Sequence, residues 1–273
     1  MALTYPTPPE GTDFYYATLF YPKTARKTLH ILEALRREIS SVPIVCNDNS
    51  VRTAKLLWWK EEINMVAVGK PRHPLGHALT DSNLKLDEFK IVFSNFIEEN
   101  VASLARKNSE TFKDTKNLTA RIHGPIANFM LSAASQTEST QSDYNSKLTG
   151  LIELSYELCD FRLYRKSPSL VIPNVELARY ALNETQVRST LVSTNLKPVF
   201  LNLAIQLSES IERMLDEMAR SEKKRRKLLI ILAKIRLEIL RRNIQQGCPI
   251  LERKIELTPL KKLWTAWYTS KFG

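Results

Sequence analysis

Apolar residues recur along this chain at intervals of three and four. Over residues 23–39, Leu29, Leu32, Leu35 and Ile39 paint one stripe, which predicts an amphipathic helix. Pro43 and the polar run Asn47-Asp48-Asn49-Ser50 are expected to end it. A second helix is predicted over 51–67, stopped by Gly69 and Pro71, and His73-Pro74-Leu75-Gly76-His77 opens the next. Helical texture continues over 86–107, weakens over 108–118 into an expected connection, and returns over 120–134. Residues 136–145, rich in Ser, Thr and Gln, read as a loop. Helices follow over 147–164 and 174–182 with an irregular stretch at 166–173 between them. Two long ones close the pattern, over 196–217 and 221–244, the second with Leu228, Ile231, Ile235 and Ile239 on one face before Gly247-Cys248-Pro249. No repeat and no composition break divides the chain, so the expectation is an all-α, single-domain helical bundle over 1–273, with residues 1–12 as a flexible tail.

Composition supports that reading, since 43% apolar residues can fill a sizeable core and only 7 glycines in 273 residues disfavour a fold built from tight turns. Charge adds a class of partner: 40 Lys plus Arg against 29 Asp plus Glu leave +11, which suits diphosphates, acidic lipid headgroups, nucleic acid or an acidic protein. Nucleic acid rests on charge alone and is not favoured. Cys46, Cys159 and Cys248 are odd in number and lack paired spacing, which argues against a disulfide framework or a zinc site and for a reducing compartment. Pro6, Pro8, Pro9 and Glu10 give residues 1–12 the character of neither a secretory signal nor a transit peptide. The longest apolar run, 228–233, is too short to span a bilayer. A cytoplasmic location is expected, with peripheral attachment to the inner face of a membrane as its variant.

Several blocks resemble, in order, the squalene/phytoene synthase family. Phe14-Tyr15-Tyr16-Ala17, Tyr21-Pro22 and Leu35-Arg36-Arg37-Glu38-Ile39 are similar to its opening helices, and Leu57-Trp58-Trp59-Lys60-Glu61-Glu62 to its tryptophan block. His73-Pro74-Leu75-Gly76-His77-Ala78-Leu79 follows, then Ile172-Pro173 with Glu176-Leu177-Ala178-Arg179-Tyr180, and finally the stretch 242–267. The resemblance implies an isoprenoid-synthase fold with a central cavity for prenyl chains and two Asp-rich motifs facing each other. Those motifs hold magnesium ions that stabilise the charge developing on a diphosphate leaving group. Four carboxylates would serve. Here the first motif falls on Ser40 and Ile44, neither of which binds a metal as a carboxylate does, and Pro43 is expected to disturb the helix that carries them. The second falls on Asp160 and Tyr164, so one aspartate of that set remains.

Glu153 and Glu157 are expected to share a helical face with Asp160, which makes the three a candidate reduced magnesium site. A solvated acidic face, or pairing with Arg162, Arg165 and Lys166, accounts for them without metal. Arg37 matches a family arginine that contacts diphosphate, with an ion pair to Glu38 or Glu61 as its structural competitor. Trp58 and Trp59 are expected in the core, and His73 and His77 are not expected to ligate metal because Pro74 and Gly76 interrupt them. His123 is expected to be a hydrogen-bonded core or loop histidine. Lys223, Lys224, Arg225, Arg226 and Lys227, continued by Lys234, Arg236, Arg241 and Arg242, form a candidate surface for anionic lipid, with an ordinary solvated face as the alternative. Trp264, Trp267, Tyr268 and Phe272 beside Lys261, Lys262 and Lys271 form a second basic-aromatic patch, either an interfacial anchor or a cap on the core.

The functional expectation is a catalytically impaired or repurposed family member, a pseudoenzyme that binds a prenyl or other lipid ligand or, in the manner of an assembly factor, a protein partner. No cofactor is expected on that reading. The rival is an active transferase of isoprenoid biosynthesis that condenses farnesyl or geranylgeranyl diphosphate with Mg2+ held at Asp160, Glu153 and Glu157.

Overall fold

A computed structural model describes residues 8–82, 84–135, 142–167, 170–189, 196–223 and 225–272. Among the described residues every regular element is a helix: α1 (Asp13–Thr18), α2 (Lys23–Val45), α3 (Asn49–Ala67), α4 (Pro74–Thr80), α5 (Leu86–Ser103), α6 (Phe112–Ser135) and α7 (Asp143–Cys159). The remainder are α8 (Phe161–Tyr164), α9 (Asn174–Arg179), α10 (Glu184–Arg188), α11 (Leu196–Asp216), α12 (Arg220–Lys223), α13 (Lys227–Gln245) and α14 (Pro259–Phe272). Leu29, Leu32, Leu35 and Ile39 on α2 and Leu228, Ile231, Ile235 and Ile239 on α13 are all buried, each side chain worth about 1.5–3 kcal/mol relative to exposure. They join one hydrophobic cluster that reaches from Phe14 to Ala266.

The boundaries differ from expectation where local hydrogen bonding or a backbone break intervenes. Helix α2 continues through Pro43 to Val45, because a proline in the last turn removes only one amide donor and Cys46 N–H still reaches the Val42 carbonyl at 3.3 Å. Positions 40 and 44 therefore stay on a helix. The connection expected over 108–118 is cut short by α6, which starts at Phe112 behind a reciprocal cap: Thr111 N–H donates to Asp114 Oδ2 at 3.0 Å, and Asp114 N–H to Thr111 Oγ1 at 3.2 Å. The helix expected over 147–164 breaks at Asp160, whose φ of −104° and ψ of 27° separate α7 from α8. That expected over 221–244 is likewise two pieces, α12 and α13. Of the loop expected over 136–145, residues 136–141 lie outside the described residues and Asp143 already begins α7.

Two glycines bring α6 and α7 together. A Cβ on Gly150 would stand 2.7 Å from the backbone nitrogen of Ala120, and one on Gly124 would stand 2.7 Å from the Cα of Ser146. No larger residue fits either position without moving a helix. At the other end, the buried Glu62 carboxylate accepts the amides of Arg72 and His73, both at 2.8 Å, and so fixes the turn between α3 and α4. Within the expected tail, residues 1–7 lie outside the described residues, but the part that is described is held in place. Thr12 caps α1 through Tyr15 N–H, and the Gly11 carbonyl accepts from Lys262 Nζ at 3.0 Å.

Candidate functional site

Helices α1, α2, α6, α7 and α13 enclose a cavity of about 510 Å³, with residues of α5, α8, α14 and the segment before α14 completing its wall. Its apolar lining comes mainly from Ile122, Ile126, Ala127 and Met130 on α6 and Leu229 and Leu232 on α13. Polar lining comes from three directions. Helix α2 supplies Glu33, Arg36, Arg37 and Ser40, with Ile44 beyond; α7 supplies Glu153 and Glu157; Asp160, Tyr164 and Lys254 complete it.

Every sequence-derived candidate for catalysis or metal binding thus lies around one cavity, but the charges are paired in ways local spacing did not predict. Arg36 bridges Glu33 (2.7 Å) and Glu153 (3.2 Å), linking α2 to α7. Arg37 reaches Glu33 at 2.8 Å, not Glu38 or Glu61. Burial by itself would raise the Glu33 pKa, but the charges and hydrogen bonds of Arg36 and Arg37 override it and hold the carboxyl below its ordinary value. Asp160 accepts Lys254 Nζ at 2.8 Å, and neither it nor Glu153 takes the expected partners Arg162, Arg165 or Lys166. Glu157 makes no ion pair among the described residues. Burial, reinforced by the negative charge of Glu153, pushes its carboxyl up to about 8, so it is mostly protonated at neutral pH.

A second ionic chain runs behind the first. Lys254 also holds Glu256 (2.8 Å), Lys262 bridges Glu256 (2.9 Å) and Asp13 (2.8 Å), and Asp13 meets Arg236 at 3.3 Å. Arg236 is 2% exposed and lies 4.1 Å from the Tyr156 ring centre, so it belongs to the interior and not to the basic surface expected of α13. Arg226 is likewise withdrawn from that surface: its Nε donates to Asn145 at 2.6 Å and its guanidinium lies over Tyr144. Lys227 Nζ donates to the Phe20 carbonyl at 3.1 Å. Lys223 and Arg225 remain on the surface, and Lys224 lies outside the described residues. The expected basic run is broken because acceptors elsewhere in the fold claim three of its members, Arg226, Lys227 and Arg236.

The remaining candidates divide. Trp59 is in the core, whereas Trp58 is 40% exposed, and both rings pack edge-on against His73. His73 caps α4 by accepting Leu75 N–H on Nδ1 at 3.2 Å. His123 lines the cavity with burial pushing its pKa down to about 4, and its Nδ1 has no hydrogen-bond partner among the described residues, contrary to the hydrogen bond expected there. Arg36 and Lys254 are not singled out by sequence reasoning as site residues, since Glu153 and Asp160 lie far from them in the chain, and Lys262, expected in the C-terminal basic-aromatic patch, is instead buried between Asp13 and Glu256.

A profile of the family described as "Squalene/phytoene synthase" matches residues 7–261. The chain belongs to the squalene/phytoene synthase family. Among solved structures it is similar to a dehydrosqualene synthase in complex with ligand, with a TM-score of 0.67 at 18% identity over 95% of this chain and 91% of that one. It is similar also to the squalene synthase HpnC from Alicyclobacillus acidocaldarius (0.60, 17% identity, 86% and 88% of the two chains). YisP from Bacillus subtilis subsp. subtilis strain 168 gives 0.51 at 10% identity over 91% and 100%. Comparison with curated proteins gave no match. These likenesses establish the isoprenoid-synthase fold.

The donors around the cavity do not fit a magnesium cluster gripped from two helices. Ser40 and Ile44 offer a hydroxyl and a hydrocarbon, Asp160 is engaged by Lys254, and Glu153 by Arg36. Among the described residues no three His, Cys, Asp or Glu side chains are grouped as a metal site requires.

Proposed function

We propose that this family member keeps the helical cavity to hold an isoprenoid or related lipid chain and does not ionise a prenyl diphosphate. The observation that carries the reading is the state of Asp160, the remaining motif aspartate: its carboxylate already has a cation, Lys254, and the facing motif positions have no carboxylate to share a metal with it. Displacing Lys254 for magnesium would leave a half-buried ammonium beside Glu256 alone, while the metal would gain ligands from one side only. Removing one preorganised group that stabilises transition-state charge commonly costs about 10²–10³ in rate. Here an entire side of the clamp is missing.

The cavity size supports a lipid occupant, since about 510 Å³ falls within the span of roughly 300–1,000 Å³ typical of sites for small organic ligands. Displacement of a fluorescent fatty-chain probe by farnesol tests it. Binding is expected in the native protein and is expected to be lost in Ala127→Phe, which fills the apolar part; binding that survives the substitution would refute cavity occupancy. The rival, an active magnesium-dependent transferase, draws on the convergence of Glu153, Glu157 and Asp160 on the same cavity. Diphosphate release separates the two.

A further inference from the structure

Helix α14 is amphipathic with its polarity reversed. The side it turns inward carries Lys262, Ala266 and Thr269, all buried. The side it turns outward carries Leu260, Leu263, Trp264, Trp267, Tyr268 and Phe272, of which Leu260 is 76%, Trp264 59% and Phe272 67% exposed. These positions recur at three and four residues, so they form one stripe along the helix. The rings stack on one another along it: Trp264 on Trp267 at 5.1 Å, Trp267 on Phe272 at 5.9 Å, and Tyr268 on Phe272 at 5.2 Å. A contiguous apolar face of this kind on a protein surface calls for a cover.

What covers it is indicated by the charges around it. The helix contains no Asp or Glu, and the exposed Lys261 and Lys271 share the outward side with the stripe. The basic segment leads into α13, which packs against α14, and Lys227 at the start of α13 lies close enough to Lys271 for the two charges to repel. The Lys234 pKa is held down by burial and then by Lys223. Exposed Arg225 sits in the same segment. Trp and Tyr interspersed with leucines and lysines on one face match the boundary between lipid headgroups and acyl chains, where indole and phenol rings keep one edge wet and lysines extend toward the lipid phosphates.

We propose that the outward face of α14 lies in the surface of an anionic lipid bilayer, with its rings at the headgroup boundary and Lys223, Arg225 and Lys271 against the lipid charges. No helix among the described residues is long and apolar enough to cross a membrane, so the attachment is in the plane of the surface. The opposite side of the same helix presents Lys262 to the cavity wall.

Flotation of the full chain with vesicles tests the proposal independently of what the cavity holds. The protein is expected to float with vesicles of phosphatidylcholine and phosphatidylserine, to float much less with phosphatidylcholine alone, and to show a blue shift of tryptophan emission on binding. Trp264→Ser with Phe272→Ser, both at exposed positions, is expected to lower binding by at least about tenfold, as loss of two membrane-buried rings implies. Circular dichroism confirms that the variant is folded. Arg225→Glu with Lys271→Glu provides a second variant, expected to weaken binding to the anionic vesicles selectively. Absence of flotation, equal flotation with neutral vesicles, or flotation unchanged in the ring variant would overturn the proposal. So would self-association lost in the ring variant without vesicle binding, which would assign the face to a second copy of the chain.

Discussion

Glu157 gives the sharpest thermodynamic prediction. Its folded pKa is about 8 against an ordinary value of 4.5, so between those pH values the folded protein binds a proton that the unfolded chain releases. Stability must therefore fall as pH rises through that window. His123 acts oppositely: its pKa is lowered from 6.5 to about 4, the unfolded chain binds the extra proton below 6.5, and stability rises with pH up to that point. The two slopes nearly cancel between about 4.5 and 6.5, and only the Glu157 slope survives above it. One proton corresponds to about 1.4 kcal/mol per pH unit, and the slope halves as pH reaches the folded pKa, so the loss from pH 6.5 to 8 is about 1.5 kcal/mol, or roughly 3 °C in Tm for a chain of this length. Thermal melts of the native protein and Glu157→Gln across that range measure it. The Gln variant, which mimics the protonated carboxyl, should remove the decline. A native profile flat from pH 6.5 to 8, or an identical decline in Glu157→Gln, would refute the assignment. Magnesium offers an internal check, because a metal ligated by Glu157 would demand its ionised form and erase the slope.

Two further substitutions probe the scaffold that holds the cavity. Arg236→Met removes one of the two cations on buried Asp13 and the partner of the Ser155 hydroxyl and carbonyl, and should lower unfolding free energy by about 2–4 kcal/mol in urea titrations; a loss within error would mean that Lys262 alone satisfies the site. Gly150→Val drives side-chain carbon into the Ala120 backbone and should cost about 1–3 kcal/mol by the same titration, whereas an unchanged midpoint would show that α6 and α7 can separate freely.

Much of the fold is legible in the sequence because helical periodicity is local. The stripes on α2 and α13 read directly as buried faces, and the ordered family blocks point to the fold that the structural likenesses support. The cap at Thr111 and Asp114 is legible too, as an S/T-x-x-D pattern, and would place the start of α6 correctly. The pairing around the cavity is not. Glu153 and Arg36 are 117 residues apart, and nothing in the texture of either helix announces that one will hold the other. The same applies to Lys254 with Asp160, and to Arg226 and Arg236, which look like members of a basic surface until Asn145 and Asp13 claim them. For the residues of α14 the sequence leaves an interfacial anchor and a cap on the core both open: the rule that apolar residues face inward is broken there, and composition alone cannot say which side of a helix meets the protein.

The central claim is that the polar side of the cavity is neutralised by the protein's own cations and offers no two-sided grip for magnesium. Incubating the purified protein with farnesyl or geranylgeranyl diphosphate and magnesium, and measuring diphosphate release, tests it most directly. No release above the protein-free control is predicted. Turnover that disappears in Asp160→Asn would contradict the account and establish Asp160 as a working metal ligand.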